Sequence, residues 1–137
     1  MRVLIVEEDV DLACTVADKV SSWNHPARTV HSCRDALRSM AVAPFDLVLI
    51  DVFLPDALSH EIIPRIRKIR ADIPIVTITG YNTRELERAV RLQGVLYYMI
   101  KPFEEEALKS ILDHLEEKNR NEETCESRKA ERGKRHG

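Results

Sequence analysis

Asp51 stands at the end of the apolar run Leu47-Val48-Leu49-Ile50, where its carboxylate is available for nucleophilic chemistry. An Asp carboxylate can attack phosphorus and carry the group as an aspartyl phosphate. Three other apolar runs end in reactive residues. Glu7, Glu8 and Asp9 follow Val3-Leu4-Ile5-Val6, Thr79 follows the run Ile73 to Ile78, and Lys101 follows Leu96 to Ile100. Clustered carboxylates repel one another and need a cation, and hard oxygen donors suit Mg²⁺. A metal and a lysine can neutralise the equatorial oxygens of a phosphoryl group in transfer. A threonine hydroxyl can hydrogen-bond the group once it has arrived. Taken singly, each residue has a bland reading: charge before a helix, a loop residue, a turn cap, a lysine before a proline. Together, at four run ends in order, they favour phosphoryl chemistry.

The elements that must position these residues alternate in period. The apolar runs read as strands buried on both faces, with a weaker one at Arg28-Thr29-Val30. Between them lie helical spacings: Leu12, Val16, Val20, Trp23; then Ala36, Leu37, Met40 behind a Ser32 N-cap; then Ile62, Ile66, Ile69, widened by Ile63. Pro64 suits that third helix only near its first turn. Asn82 or Thr83 starts a fourth helix carrying Leu86, Ala89 and Val90, and Gly94 closes it. Glu104, Glu105 and Glu106 open a fifth, with Leu108, Ile111, Leu112 and Leu115 on its apolar face. Five strand–helix units predict a parallel α/β sheet with ligands beyond the carboxyl ends of the strands.

Composition agrees with one such domain. The chain has 137 residues, 44 % hydrophobic and 32 % charged, with formal net charge -2. That balance gives no general drive toward nucleic acid or an anionic membrane. No apolar run is long enough to span a bilayer, and the start lacks a signal-peptide core. Cys14, Cys33 and Cys125 lack metal-ligand spacing and read as free thiols in a reducing cytoplasm. Asn119 to Gly137 contains no Val, Ile, Leu, Phe, Tyr or Trp and reads as a disordered charged tail or linker. His25, His31, His60, His114 and His136 share no ligand spacing and read as surface residues. Arg65, Arg67, Lys68 and Arg70 read as a solvated helix face.

With these pieces in place, the sequence resembles the receiver domain of bacterial two-component response regulators, the CheY-like superfamily. The resemblance covers about Met1 to Glu117. It rests on Val3 to Asp9, Phe45 to Asp56, Pro74 to Gly80 and Tyr98 to Phe103. It implies a doubly wound, flavodoxin-like (βα)5 sheet of strand order 2-1-3-4-5, with a receiver domain over 1–118 and a tail over 119–137. It implies Asp51 as phosphoacceptor with Thr79 and Lys101, and Thr79 and Tyr98 as the switch pair. Mg²⁺ would be held by Glu7, Glu8, Asp51 and the Phe53 carbonyl. Phe53 and Tyr81 would flank the path of hydrolytic water. The Lys101–Pro102 bond is often cis in this family.

Two positions depart from the family pattern. Glu8 stands where Asp is usual, with Asp9 as an alternative ligand. Ser59 stands where Gly is usual, strained there if φ is positive and otherwise suited to capping the third helix. The expected function is phosphoacceptor signalling in a two-component phosphorelay, fed by a histidine kinase or histidine phosphotransfer protein. The domain is not an enzyme beyond self-phosphotransfer and slow autodephosphorylation. An output partner, or an effector domain outside these residues, would read the face of the fourth helix, fifth strand and fifth helix. The protein would act as a monomer or a phosphorylation-dependent dimer, without direct nucleic-acid or membrane binding. The rival is a pseudo-receiver, a phosphorylation-independent interaction module. A haloacid dehalogenase-like hydrolase would need a second Asp two residues after the first, where Phe53 stands.

Overall fold

Val3–Val6 has no polar side chain for either face and forms β1, buried at all four positions. β3 (Leu47–Asp51) and β4 (Ile75–Thr79) are mostly apolar and likewise buried throughout, with Asp51 ending β3 and Thr77 and Thr79 within β4. The more polar β2 (Ala27–Val30) and β5 (Tyr97–Ile100) are the edges of a parallel sheet ordered β2-β1-β3-β4-β5. The helices are α1 (Val10–Ser22), α2 (Cys33–Val42), α3 (Ser59–Ile69), α4 (Arg84–Arg91) and α5 (Glu105–Arg135). This computed structural model describes residues 1–135, with side chains through Glu122. Met1–Phe103 forms the sheet-bearing unit, and a helical unit begins at Glu104.

Leu4 and Val6 of β1, Val48 and Ile50 of β3 and Ile75 of β4 share one core cluster with α2 (Ala36, Met40) and α3 (Ile62, Ile63, Ile66). Side chains alternate along a strand, so the buried Val3, Ile5, Leu47 and Leu49 face the other way. α1 contacts β1 and β2 and buries Ala13, Val16 and Val20. The sheet is thus covered on both faces, as its apolar strands require.

Local signals account for the helix starts. The Oδ1 of Asp9 caps α1 by accepting from the Leu12 N–H at 3.1 Å. Ser32 and Thr83 cap α2 and α4 through the N–H groups of Asp35 and Leu86, each at 3.1 Å. Gly94 follows α4 at φ 78, a left-handed turn that an L side chain rarely adopts.

Several expectations need correction. Ser59 does not cap α3: the N-cap is Leu58, without a side-chain bond, and the buried Ser59 Oγ has no partner. Nor is Ser59 strained, because Asn24 is the one non-glycine residue with positive φ among the described residues. The β3–α3 loop is folded on itself instead, with Ser59 N–H donating to the Val52 carbonyl at 2.9 Å. Pro64 lies in the second turn of α3, and Ile69 is exposed. β5 begins at Tyr97, leaving Leu96 exposed before the strand. His25 is buried at 2 % exposure, with Nδ1 at 3.0 Å from the Met1 ammonium. His31 and His60 are only partly exposed. Arg67 and Arg70 are not merely solvated. Arg67 donates to the carbonyls of Ala71, Ile73, Gln93 and Gly94, tying α3 to the turn after α4. Arg70 donates to the Phe45 carbonyl and pairs with Asp46 and Asp72.

α5 continues through Arg135, across the segment whose composition predicts an unstructured tail. Its Glu, Lys, Arg and Ala residues can propagate a helix already nucleated upstream. The side chains of Cys125 and His136 lie outside the described residues.

One tertiary contact was not visible in the sequence. Asp56 accepts from the N–H groups of Cys33 and Arg34 at 2.9 and 3.0 Å, pinning the β3–α3 loop to the start of α2. Slight burial raises its pKa, but these backbone donors outweigh that and hold the carboxyl below its ordinary value. A depressed carboxyl pKa contributes stability at neutral pH that is lost as pH falls through the folded pKa. Asp56→Ala should therefore cost about 1 kcal/mol at neutral pH, in the range of a lost helix cap. Urea unfolding checks this, and the gap from wild type should narrow below about pH 4. A cost that does not change with pH would show that the carboxylate charge plays no part.

Candidate functional site

Strand register brings the reactive residues together. Val6 pairs with Ile50, so Glu7 comes out beside Asp51 one residue later. Asp51 pairs with Ile78, which puts Thr79 one step further on the next strand. Thr79 pairs with Ile100, and Lys101 follows. The Lys101 N–H donates to the Thr79 carbonyl at 2.7 Å, and the Lys101–Pro102 bond is cis.

The result is a cleft of about 500 Å³ lined by Glu7, Glu8, Asp9, Asp51, Phe53 and Tyr81, with Gly80 and Lys101. At its floor the Lys101 ammonium donates to Asp51 Oδ2 at 2.7 Å and to both Glu7 carboxylate oxygens at 3.1 Å. Asp51 Oδ1 accepts from the Phe53 N–H at 3.0 Å. Both carboxylates are buried. One ammonium serves two of them, so the floor is short of positive charge.

The ionisation equilibria show the same shortage. Burial, then the hydrogen bond and charge of Asp51, push the Glu7 carboxyl up to about 7 against the pull of Lys101. Burial acts to lower the Lys101 pKa, but its bonds to Asp51 and Glu7 outweigh that and hold it above its ordinary value.

Two buried carboxylates with too little positive charge are the donor set of an oxygen-ligated cation. Among the described residues no three His, Cys, Asp or Glu side chains are gathered closely enough to hold a metal. The buried carboxylates that an ion here could draw on are Glu7 and Asp51. Glu8 and Asp9 are exposed at the lip, and Asp9 is already engaged as the cap of α1.

The remaining candidates sit around this floor. Thr79 is fully buried, and its hydroxyl donates to the Tyr81 carbonyl at 2.6 Å while accepting from the Tyr81 N–H at 3.2 Å. Phe53 and Tyr81 meet edge to face, ring centroids 5.8 Å apart. The Tyr98 hydroxyl donates to Asn82 Oδ1 at 2.8 Å, and the Arg91 guanidinium lies over the Tyr98 ring. Burial and the charge of Glu87 raise the Tyr98 pKa against the opposing charge of Arg91.

Two residues near the site had no functional reading in the sequence. Asn82 had been considered only as a helix start, yet it holds Tyr98. The ring Nδ1 of His31 is 2.9 Å from the Glu7 carbonyl, which tethers the end of β1. Neither carries a motif, because each acts through a partner distant in sequence. Cys33 is a buried thiol pushed up to about 12, by burial first and then by Asp56. Such a thiol is not reactive.

Residues 3–113 match the family model of the response regulator receiver domain. The response regulator protein FleR of Pseudomonas aeruginosa is 33 % identical over 113 residues, covering 81 % of this chain and 24 % of FleR. The DNA-binding transcriptional regulator NtrC of Azospirillum brasilense is 28 % identical over 111 residues, covering 81 % of this chain and 23 % of NtrC. The chain thus spans about a quarter of the length of these two relatives. Among solved structures, a CheY-like response regulator receiver domain protein from Methanospirillum hungatei superposes with a TM-score of 0.80. It is 23 % identical, covering 88 % of this chain and 97 % of that one, and it shares the fold. With the matched region containing the whole sheet and the carboxylate–lysine cleft at its edge, the chain belongs to the response regulator receiver domain family.

Proposed function

We propose that Asp51 receives a phosphoryl group from a histidine kinase or histidine phosphotransfer protein, and that this switches a partner-binding surface. The observation that carries the reading is the Lys101 ammonium, bonded at once to Asp51 and Glu7 on the floor of an open cleft. A receiver domain is a signalling domain, not a classical enzyme, and this role belongs in the cytoplasm. In the transfer, an Asp51 carboxylate oxygen forms the new bond to phosphorus while the phosphorus–nitrogen bond of phosphohistidine breaks. The electron pair of that bond returns to the imidazole. Lys101 stays beside Asp51 and faces the charge of the incoming oxygens.

The family generally uses Mg²⁺, and Glu7, Glu8, Asp51 and the Phe53 carbonyl are the groups that would hold it here, with Asp9 in reserve. When bound, it supplies positive charge to the phosphoryl oxygens. Thr79 and Tyr98 form the switch. Thr79 would exchange its bonds to the Tyr81 backbone for one to the phosphoryl group, and Tyr98 would leave Asn82 for the space vacated. New contacts made only in the phosphorylated state provide the free energy. The surface that changes would include α4 and β5, with Leu92 just after α4 and Ile100 at the end of β5 exposed. The output partner, or an effector domain beyond these residues, would read it. A monomer and a phosphorylation-dependent dimer both suit this scheme.

Incubation with acetyl phosphate and Mg²⁺ should add one phosphate to wild type and none to Asp51→Asn, read by intact mass. An unchanged wild-type mass under saturating Mg²⁺ would favour the pseudo-receiver, and phosphate retained on Asp51→Asn would point to another carboxylate.

Mg²⁺ affinity should depend on pH. Glu7, at about 7, holds a proton below neutrality in the folded protein. A cation must displace that proton, so affinity should fall by up to about tenfold per pH unit below 7 and level off above. Calorimetry across this range checks it. A flat profile would mean that Glu7 is not a ligand.

The phosphorylated state should be long-lived. Phe53 and Tyr81 crowd the cleft, and neither offers a carboxylate or amide to orient water for attack on phosphorus. Loss of that positioning should slow hydrolysis roughly 10–100-fold, a barrier change of roughly 1.4–2.7 kcal/mol. At matched Mg²⁺, a Phe53→Asn, Tyr81→Glu double variant should lose its phosphate faster than wild type. Equal decay would remove the shielding role.

A further inference from the structure

A second cleft, of about 600 Å³, runs between β2 and α2, lined among others by Arg28, Thr29, His31, Asp35, Arg38 and Val42. None of its residues belongs to the phosphoacceptor floor. Its wall is a sheet edge: β2 pairs with β1 on one side and is the last strand on the other. The carbonyls of Pro26 and Val30 accept from the N–H groups of Val3 and Glu7 at 2.8 and 3.0 Å. Backbone groups alternate in direction along a strand, so Ala27 and Thr29 turn their N–H and C=O groups away from β1, toward the open edge.

Three further features give this edge a preference. Arg28 and Arg38 are exposed and face one acidic group, Asp35, so the lining is net positive in a chain of net charge -2. Val42, at the far end of α2, is 78 % exposed. The Nδ1 of His31 is engaged with the Glu7 carbonyl, which fixes the imidazole at the end of β2.

We propose that this cleft docks an extended acidic segment of a partner protein by strand addition to β2. The segment's backbone would bond to Ala27 and Thr29, its carboxylates would meet Arg28 and Arg38, and an apolar side chain would cover Val42. A peptide backbone matches an edge row of N–H and C=O groups. A nucleic-acid strand fits less well, because its affinity comes from many phosphate contacts and here two arginines share the lining with a carboxylate.

Fluorescence anisotropy with the full chain tests the proposal. The probe is a labelled peptide of alternating Glu and Val, about eight residues long. Controls are a Lys–Val peptide of the same length and a labelled single-stranded oligonucleotide. The acidic peptide should bind with a Kd on the order of tens of micromolar, typical of a small exposed site, and weaken with salt. Arg28→Glu with Arg38→Glu should weaken it at least about tenfold, since like charges now face the carboxylates. Thr29→Pro removes an N–H that points away from β1, so it should weaken the peptide while circular dichroism stays unchanged. Amide shifts on binding should centre on residues 27–31 and 38–42. No binding at about 1 mM, equal binding of the Lys–Val peptide, tighter binding of the oligonucleotide, or shifts centred on α4 would each overturn the proposal.

Discussion

Two buried carboxylates held against one ammonium organise this molecule. Removing a charge from water costs several kcal/mol unless a partner repays it. Here Lys101 repays Asp51 and Glu7 together, and the repayment is incomplete, which is why the Glu7 carboxyl sits near neutrality. Everything that fixes the three residues follows from the sheet. They lie at or just past the ends of β3, β1 and β5, with Glu7 level with Asp51 and Lys101 two residues further along its strand direction.

The two residues proposed as the switch are held by hydrogen bonds that can be exchanged. Thr79 is bonded to the backbone of the residue two positions on, and Tyr98 to an amide side chain on the loop before α4. Elsewhere the loops are fixed more firmly. Asp56 ties the β3–α3 loop to the first N–H groups of α2, and Arg67 gathers four carbonyls between the end of α3 and the turn after α4. Asp56 thus fixes a loop on the cleft side of the sheet, and Arg67 fixes the loops that lead into β4 and β5 at its other end.

The two departures from the family pattern have different consequences. At Ser59 the backbone needs no positive φ, so the missing glycine is accommodated by a loop closed through Val52, Leu54 and Ala57, at the expense of a buried hydroxyl without a partner. At Glu8 the longer carboxylate stands at the lip rather than on the floor.

Short, mostly apolar runs were enough to locate β1, β3 and β4, because a strand buried on both faces admits a polar side chain only where a partner meets it, as the Tyr97 carbonyl meets Thr77. Alternation with helical spacing then gave the parallel sheet, and the residues after each run named Glu7, Asp51, Thr79 and Lys101 as the site. Caps such as Ser32 and Thr83 were readable because a cap is a contact over three residues. The rest depended on partners distant in sequence. His25 looked like a surface residue until the fold buried it, and Arg67 and Arg70 like a solvated face until carbonyls from other segments reached them. The pinning by Asp56, the Tyr98–Asn82 bond and the His31 tether to Glu7 have no local pattern at all. Hydrophobic periodicity is a local property and survives in one dimension. Hydrogen bonds between residues tens of positions apart exist only once the chain has closed on itself, and they decide which side chains hold the frame and which are left to act.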